Sequence, residues 1–332
     1  MAQIYGIDLA SEKFDVSYLD EKGKKKHKVV KNERPAIEKF LSTLPEDAWI
    51  VAEHTGAYGD LLLFLADMHG IRISYVNGYE IKHSSGLTKG KSDKADSAMI
   101  RDYGERHIDK LDLTHFPSET MYRLRQAYTA RRLLVKQRKE LETTLHVDAR
   151  SPLENDKLAS VKNQVLAELN AAIKEVEDEM ERLIQSDQEL ARSAAIARSV
   201  PGIGMVTSTE IIIKTGNFKR VSTAKKCASL AGIAPFPNAT GKTDKGNHVA
   251  AMGDKQLKSL LFMCAMSSVT YSDRMRVYKM KKMDVERKHF FLVMNNIANK
   301  LLKTLYALIK KGEMFNSDYL PRDPRLKTAG IN

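Results

Sequence analysis

The stretch "QIYGIDLASEKFDVSYLD" at residues 3–20 decides the fold of the N-terminal third of the chain. It contains two short runs rich in β-branched and aromatic residues, and a polar turn separates them. After a turn at Gly23, "KKKHKVVKN" at residues 24–32 supplies a third run that can form a strand. Together the three runs predict an antiparallel β-meander.

Helix and strand signals alternate after the meander. The segment "RPAIEKFLSTL" has helical spacing, "AWIVAEH" is typical of a buried strand, "YGDLLLFLADMHG" predicts a helix ending at Gly70, and "IRISYVN" predicts a further strand. A meander followed by such alternation is the order of an α/β RNase H-like domain with one mixed sheet, in which the first strand is central. We predict this domain over residues 1–115.

From about residue 118 the chain is charged and helix-favouring, without strand signals. Apolar residues over 156–185 recur at alternating steps of three and four, which approximates a heptad seam. The seam consists of Leu158, Val161, Val165, Leu169, Ile173, Val176, Met180 and Leu183. It predicts a coiled-coil arm over 116–192, formed with the preceding helix or with a second copy of the chain. A plain intramolecular helical hairpin is the alternative.

Residues 193–316 predict a mainly helical domain. Its segment "SVPGIGMVTSTEIII" resembles the hairpin of a helix-hairpin-helix element, in which Gly202 and Gly204 would let backbone N–H groups approach a phosphate. A tight interhelical turn is the alternative. The later stretch "NATGKTDKGNH" predicts a polar loop, and residues 317–332 predict a flexible tail.

The charge of the chain points to nucleic acid. Lys and Arg number 54 against 42 Asp and Glu, for a net charge of +12, and a cationic protein of this kind favours phosphate contacts. The candidate phosphate-binding side chains are Lys89, Lys91, Lys242, Arg274, Arg276, Lys281 and Lys282. For the C-terminal run among them, a solvated surface is the alternative.

Other classes are disfavoured. Two cysteines without metal-ligand spacing build neither a disulfide framework nor a zinc site. The apolar runs are too short for a membrane span, and no secretory signal is visible. The expected location is therefore the bacterial cytoplasm, at the nucleoid.

Two acids each close an apolar strand: Asp8 in "YGIDLA" and Glu53 in "WIVAEH". In the predicted sheet these strands are neighbours, so the two carboxylates can converge at one end. In "KGKSDKADSA" at 89–98, Ser92 can cap a helix whose first turn carries Asp93 and Asp96 on one face. These two acids could be an ordinary helix start. Four carboxylates at one point, however, would need cations, and two Mg²⁺ ions would meet that need.

The segments "GIDLASEKFDV", "VAEHTGAYGDLL" and "KSDKADS", in that order, resemble the Asp-Glu-Asp-Asp signature of the RuvC-like domain in a family of bacterial insertion-sequence transposases. That family includes Piv-type DNA invertases and bridge-RNA-guided recombinases. "SVPGIGMVTSTEIII" and "FKRVSTAKKCASLAGIAPF" are similar to its C-terminal transposase domain, so the resemblance covers nearly the whole chain. It implies that the four acids are metal-binding catalytic residues. It also implies double-stranded DNA as substrate, a structured guide RNA, and a homodimer or tetramer.

One position departs from the family pattern. Where the family carries a serine before glycine that is implied to attack DNA, this chain has Thr240 in "NATGK". A threonine hydroxyl can be a nucleophile, but its β-branch crowds the approach to phosphorus. Two other functions therefore stay open: a RuvC-like junction nuclease that uses metal-activated water, and a nucleic-acid-binding relic that does not cut.

Overall fold

The computed structural model of the protein describes the backbone of residues 2–84, 92–153, 155–240, 243–249 and 253–317, and side chains outside 236–249. The chain divides into two compact units, Met1–Pro117 and Ser118–Asn332. Each unit has a hydrophobic core of its own.

The first unit is the predicted mixed sheet with helices. In chain order its elements are β1 (Gln3–Leu9), β2 (Lys13–Leu19), β3 (Lys25–Lys31), α1 (Arg34–Leu41), β4 (Ala48–Glu53), α2 (Asp60–Met68), β5 (Arg72–Val76), α3 (Gly78–Ser84) and α4 (Asp93–Arg106). The strand order is β3-β2-β1-β4-β5, with β1 antiparallel to β2 and parallel to β4. The prediction of a meander and a central first strand is confirmed.

Alternation along the strands sorts the side chains between the two faces of the sheet. Tyr5, Ile7 and Leu9 of β1 belong to the core that contains α1 and α2. Ile4 of β1 packs instead with Ile100 and other residues of the opposite face, where α4 lies. Because successive strand residues point to opposite faces, Asp8 shares the α4 face with Ile4.

Helix α4 comes unusually close to the sheet, and a glycine allows it. A Cβ atom at Gly6 would collide with backbone atoms of Ser97 and Arg101. The fully buried Arg101 donates from Nη1 to Ser17 Oγ of β2 at 2.9 Å. Helix α4 is therefore held against β1 and β2. Its point of close contact, Gly6, lies two residues before Asp8 in β1.

The second unit is mainly helical. Its helices are α5 (Glu119–Asp148), α6 (Asp156–Gln185), α7 (Gln188–Ser199), α8 (Met205–Thr215), α9 (Ala224–Leu230), α10 (Lys255–Tyr271), α11 (Asp273–Met280) and α12 (Phe290–Lys311). A π-helical turn, Lys281–Val285, follows α11. The core joins α7, α8, α9, α10 and α12 to the base of α5 and α6.

Helices α5 and α6 form an antiparallel hairpin within the chain. Arg131 Nε lies 2.6 Å from Glu177 Oε1, and Arg138 Nη1 lies 3.4 Å from Asn170 Oδ1, so positions rising along α5 meet positions falling along α6. For residues 116–192, a plain intramolecular helical hairpin is the alternative given above to a coiled-coil arm. The observed packing agrees with that alternative and does not establish a coiled coil. The predicted boundary at 192/193 stays a prediction.

One prediction for this unit is wrong. The stretch "NATGKTDKGNH" is predicted above as a loop, but its described residues fall in two paired strands, β6 (Pro235–Thr240) and β7 (Thr243–Val249). Ladder hydrogen bonds use only backbone groups, so polar residues of low strand propensity can form a hairpin when its ends are anchored. The predicted flexible tail lies outside the described residues, apart from Ser317.

Among the described helices, none is long and apolar enough to cross a membrane.

Candidate active site

Asp8 and Glu53 lie at the ends of neighbouring strands, at the same edge of the sheet. The parallel register of β1 and β4 pairs Ile7 with Ala52, which places the two acids next to each other in the two strands. Val51 packs in the core on the α4 face, and Glu53 lies two residues further along. Both carboxylates therefore lie on the α4 side of the sheet.

The other two predicted acids lie in the first turn of α4. Ser92 Oγ accepts a hydrogen bond from the backbone N–H of Ala95 at 3.2 Å, so the predicted cap is confirmed. Asp93 is the first residue of the helix, and Asp96 lies three residues later. Their carboxylates stabilise the positive end of the helix dipole. This role does not explain why Asp8 and Glu53 lie on the same side of the sheet as the helix.

The pKa of Asp8 shows that the four acids are close to one another. This pKa is raised to about 6, first by burial and then by the carboxylates of Asp96, Asp93 and Glu53, with a smaller contribution from Asp15. Each neighbouring negative charge disfavours ionisation of Asp8. The structure thus brings together the four acids that the sequence picked out.

This acid group has the donor chemistry of a site for a hard cation. Its ligands are carboxylate oxygens, the type that Mg²⁺ prefers, and their mutual repulsion is what a cation would relieve. In the described part of the chain, no three His, Cys, Asp or Glu side chains already form a closed metal-binding group. The residues fit a cation by charge and ligand type, and binding would require their side chains to close around it.

A glycine leaves room for Glu53. A Cβ atom built on Gly78, the first residue of α3, would overlap the Glu53 carboxylate. Any larger residue at position 78 would therefore displace this acid from the edge of the sheet.

Sequence reasoning missed Asp15 and Lys13 on β2. Asp15 is the direct cross-strand partner of Asp8 and is only 5% exposed. Lys13 contacts Asp15 and also Asp93, which is 80 residues later in the chain. Alternation was the signal that could have found Asp15, because it stands between Phe14 and Val16, both of which belong to the core on the other face.

The second unit carries the predicted nucleophile and glycines. Thr240 is the last residue of β6 and pairs with Thr243 of β7, but its side chain is outside the described atoms. Lys89, Lys91 and Lys242 also lie outside the described residues. Gly202 has a φ of 93°, and a Cβ there would meet backbone atoms of α10, whereas Gly204 at the start of α8 faces open space. Of the two glycines, Gly202 is thus required for helix packing.

The predicted C-terminal cations differ in their surroundings. Arg276 is paired with Asp273 at 3.1 Å, and Lys282 with Glu286 at 2.6 Å. Arg274 lies on α11, and Lys281 begins the π-helical turn. Arg276 and Lys282 therefore have part of their charge balanced within the protein.

Two further cations, Lys300 and Lys303 on α12, lie near some of these C-terminal cations. They were not predicted from the sequence. The pKa of Lys300 is lowered by partial burial and then by Arg274, Lys303 and Lys282. Since like charges lower a lysine pKa only at short range, these four residues form one cationic cluster. Nothing in the local spacing of α12 distinguishes Lys300 and Lys303 from other surface lysines.

The raised pKa of Asp8 leads to a prediction for the metal-free protein. An acid whose pKa is raised in the folded state binds its proton more tightly there than in the unfolded state. Its ionisation therefore lowers the free energy of unfolding, and this cost grows as pH rises from about 4 to about 6. Asp8→Asn removes this cost. In EDTA, the variant should melt above wild type at pH 7.5, and the gap should close towards pH 4.5, as followed by thermal denaturation across a pH series.

Asp20→Asn is the matched control. Backbone N–H groups of Lys24 and Lys22 lower the pKa of Asp20, so its charge stabilises the fold above its normal pKa. This variant should not melt above wild type at pH 7.5. An Asp8→Asn melting temperature equal to or below wild type at pH 7.5 would show that the acids are not crowded in solution.

Comparisons with known proteins give a family match for each of the two units. Residues 5–147 match a family model described as "Transposase", for DEDD transposases of IS110, and residues 194–279 match one described as "Transposase IS116/IS110/IS902 family". The first match contains all four acids, and the second contains Thr240 and the two glycines.

Several curated proteins are similar to the chain. It is 26% identical to the pilin gene-inverting protein of Moraxella lacunata over 95% of this chain and 98% of that protein. It is 25% identical to the insertion element IS110 uncharacterized 43.6 kDa protein of Streptomyces coelicolor, over 46% and 37% of the two chains. A transposase for insertion sequence element IS1328 of Yersinia enterocolitica is 26% identical over 43% and 42%.

Proposed function

This chain belongs to the IS110/IS116 transposase family, and on that premise we propose that it cleaves and exchanges DNA strands as the recombinase of a bacterial mobile element. A transposase acts on DNA, and the net charge of +12 suits that substrate. The observation that carries the proposal is the gathering of four family-type acids at one edge of the sheet, two through the register of β1 and β4 and two in the first turn of α4, where they influence the pKa of Asp8.

We infer that Asp8, Glu53, Asp93 and Asp96 together hold Mg²⁺, with two ions as the expected number. When bound, the ions would neutralise the carboxylates and stabilise the negative charge that develops on a phosphodiester during cleavage. The protein contributes the placement of these acids: two are fixed by strand register, and two by a capped helix that Gly6 allows to approach.

The proposed nucleophile is the hydroxyl of Thr240, at the end of β6. Its attack would form a bond from the threonine oxygen to phosphorus and break the bond from phosphorus to one deoxyribose oxygen. The threonine proton would pass to a base, and the departing oxygen would take up a proton. Because the resembling family carries serine here, a nuclease that uses water instead is the second candidate.

We also propose a homodimer or tetramer, in which the α5–α6 hairpin makes a contact. Beyond the buried base of the hairpin, the predicted seam is open: Leu158 is 55% exposed, Val161 51% and Val165 46%. Val147 of α5 is 62% exposed. Apolar residues in such a row are typical of a protein interface.

The guide RNA is the least constrained part of the proposal. Its support is the family resemblance together with the cationic residues of the second unit, whose sequence shows no recognisable base-reading helix. The DNA that flanks the gene offers a direct distinction: a structured noncoding stretch beside the gene supports a guided recombinase, and an invertible segment supports an invertase.

A cleavage assay tests the proposed function. Purified protein is incubated with a supercoiled plasmid that carries the ends of the element, with or without RNA transcribed from the flanking DNA, in Mg²⁺ or in EDTA. We expect strand breaks that require Mg²⁺. A folded protein that binds the plasmid but breaks no strand under any of these conditions would instead be a binding relic.

The cationic cluster leads to a prediction for DNA affinity. On duplex DNA, log K falls with log salt at a slope of about −0.9 for each phosphate contacted. Arg274→Gln combined with Lys303→Gln should flatten the slope by up to about 2 units, if each side chain contacts one phosphate. Fluorescence anisotropy of a labelled duplex over a series of salt concentrations measures this.

The control is Lys219→Gln combined with Glu189→Gln, which removes an exposed ion pair of the same unit and leaves the net charge unchanged. It should keep the wild-type slope. If the Arg274 and Lys303 variant also keeps that slope, these cations face solvent and not the phosphate backbone.

A further inference from the structure

Asp15 stands opposite Asp8 without belonging to the family's set of four acids. It is the cross-strand partner of Asp8 in the β1–β2 ladder, and it is buried on the α4 face of the sheet. Both of its oxygens are engaged: Oδ1 lies 2.6 Å from His27 Nε2, and Oδ2 lies 3.5 Å from Lys13 Nζ. Asp15 is thus held by neighbours, and it in turn holds Lys13 beside the site.

Lys13 links β2 to the first turn of α4. Its Nζ lies 3.3 Å from Asp93 Oδ2, in addition to its contact with Asp15. The ammonium group therefore lies between a carboxylate of the sheet and one of the four predicted metal ligands. A positive charge at this point is in contact with two of the carboxylates gathered at this edge of the sheet.

We propose that Lys13 is a positioning residue that acts as a tethered counter-cation for the acid group. In the metal-free protein its ammonium neutralises Asp93 and holds this carboxylate towards β2. When a divalent cation binds, Asp93 turns to the cation and Lys13 gives it up. The inference rests on the proposed metal-binding role of the four acids.

This role has a consequence that simple packing lacks. If Lys13 stabilises the metal-free arrangement and competes with the cation for Asp93, its removal must act on the two states in opposite directions. Metal-free stability should fall because the acids lose a counter-charge, and cation affinity should rise because a competitor is gone. Removal of a lysine that only supports the fold would lower both the metal-free stability and the cation affinity.

The test compares Lys13→Met, which keeps the length of the side chain without its charge, with Lys26→Met. Lys26 is a matched control, since its side chain is 45% exposed against 48% for Lys13 and it pairs with Asp20, outside the acid group, at 3.4 Å. Thermal melts in EDTA report metal-free stability. Calorimetric titration with Mn²⁺ alone reports cation affinity.

We expect Lys13→Met to melt about 2–5 °C below wild type in EDTA, which is the scale of one partly exposed ion pair. Its Mn²⁺ affinity should rise about threefold to tenfold, equal to about 0.7–1.4 kcal/mol at 1.4 kcal/mol per tenfold. Lys13→Arg, which retains the charge, should restore both values towards wild type. Lys26→Met should leave the Mn²⁺ affinity unchanged.

An Mn²⁺ affinity that is unchanged or weaker in Lys13→Met, while wild type binds Mn²⁺, overturns the inference. Failure of wild type to bind any Mn²⁺ would instead overturn the metal assignment of the acids. In that case the melts in EDTA still decide the stabilising role of Lys13. Equal melting temperatures for Lys13→Met and Lys26→Met would reject it.

Discussion

Alanine at Asp8 should abolish DNA strand cleavage, with a loss of about a thousandfold or more. Such a loss corresponds to about 4 kcal/mol of transition-state stabilisation, at 1.36 kcal/mol per tenfold change in rate. The reason is that Asp8 lies at the centre of the acid group, where three other predicted ligands influence its pKa. Glu53→Ala and the combined change of Asp93 and Asp96 to alanine should have effects of the same size.

Cleavage of the supercoiled plasmid in Mg²⁺ measures this loss, and melting in EDTA separates it from unfolding. The melting temperatures of the Asp8→Ala and Glu53→Ala variants should hold or rise, because removing one charge relieves repulsion in a crowded acid group. Glu46→Ala is the control, since Glu46 is exposed and precedes β4 at the end of the strand opposite Glu53. Full activity in any purified single-alanine variant would remove that residue from the catalytic set.

The second large effect concerns Thr240. If its hydroxyl attacks DNA, a suicide substrate should trap a protein–DNA adduct that survives denaturation, and Thr240→Val should eliminate the adduct, since valine has the same shape without the hydroxyl. Thr240→Ser should keep or raise the rate, because the unbranched hydroxyl reaches phosphorus with less crowding. Denaturing gel electrophoresis of labelled DNA measures both the adduct and the cleavage.

Thr243→Val is the matched control, because Thr243 is the cross-strand partner of Thr240 in the same hairpin. It should trap the adduct as well as wild type does. Cleavage without an adduct, with Thr240→Val cutting as well as wild type, would favour the nuclease with a water nucleophile. If only Thr240→Ser traps and cuts, the natural protein binds DNA but is catalytically impaired.

Much of the first unit follows from local patterns. The runs around residues 3–20 predict two strands, and β1 and β2 occupy them. Ser92 followed by two acids predicts a capped helix start, and α4 begins there. Alternation and capping are specified by residues a few positions apart, so they can be recognised without knowledge of the rest of the chain.

Predictions for the second unit succeeded less well, because its structure depends more on contacts between distant segments than on local patterns. The heptad-like seam of α6 is compatible with an intramolecular hairpin, a coiled coil or a dimer contact, since each packs against all or part of the same stripe of apolar residues. The β6–β7 hairpin has little strand propensity, so its formation depends on its surroundings. The sequence pattern alone could not choose between these outcomes.

By itself, the sequence determined the order of elements in the sheet, the strand-end positions of Asp8 and Glu53, and the helical start at Asp93. Only the tertiary structure decided which charges meet: Lys13 with Asp93 across 80 residues, and Lys300 and Lys303 with Arg274. Strand and helix periodicity specify the face on which a side chain lies. Contacts between distant segments depend on how closely those faces pack, and in this protein Gly6 allows α4 to pack against the sheet beside Asp8.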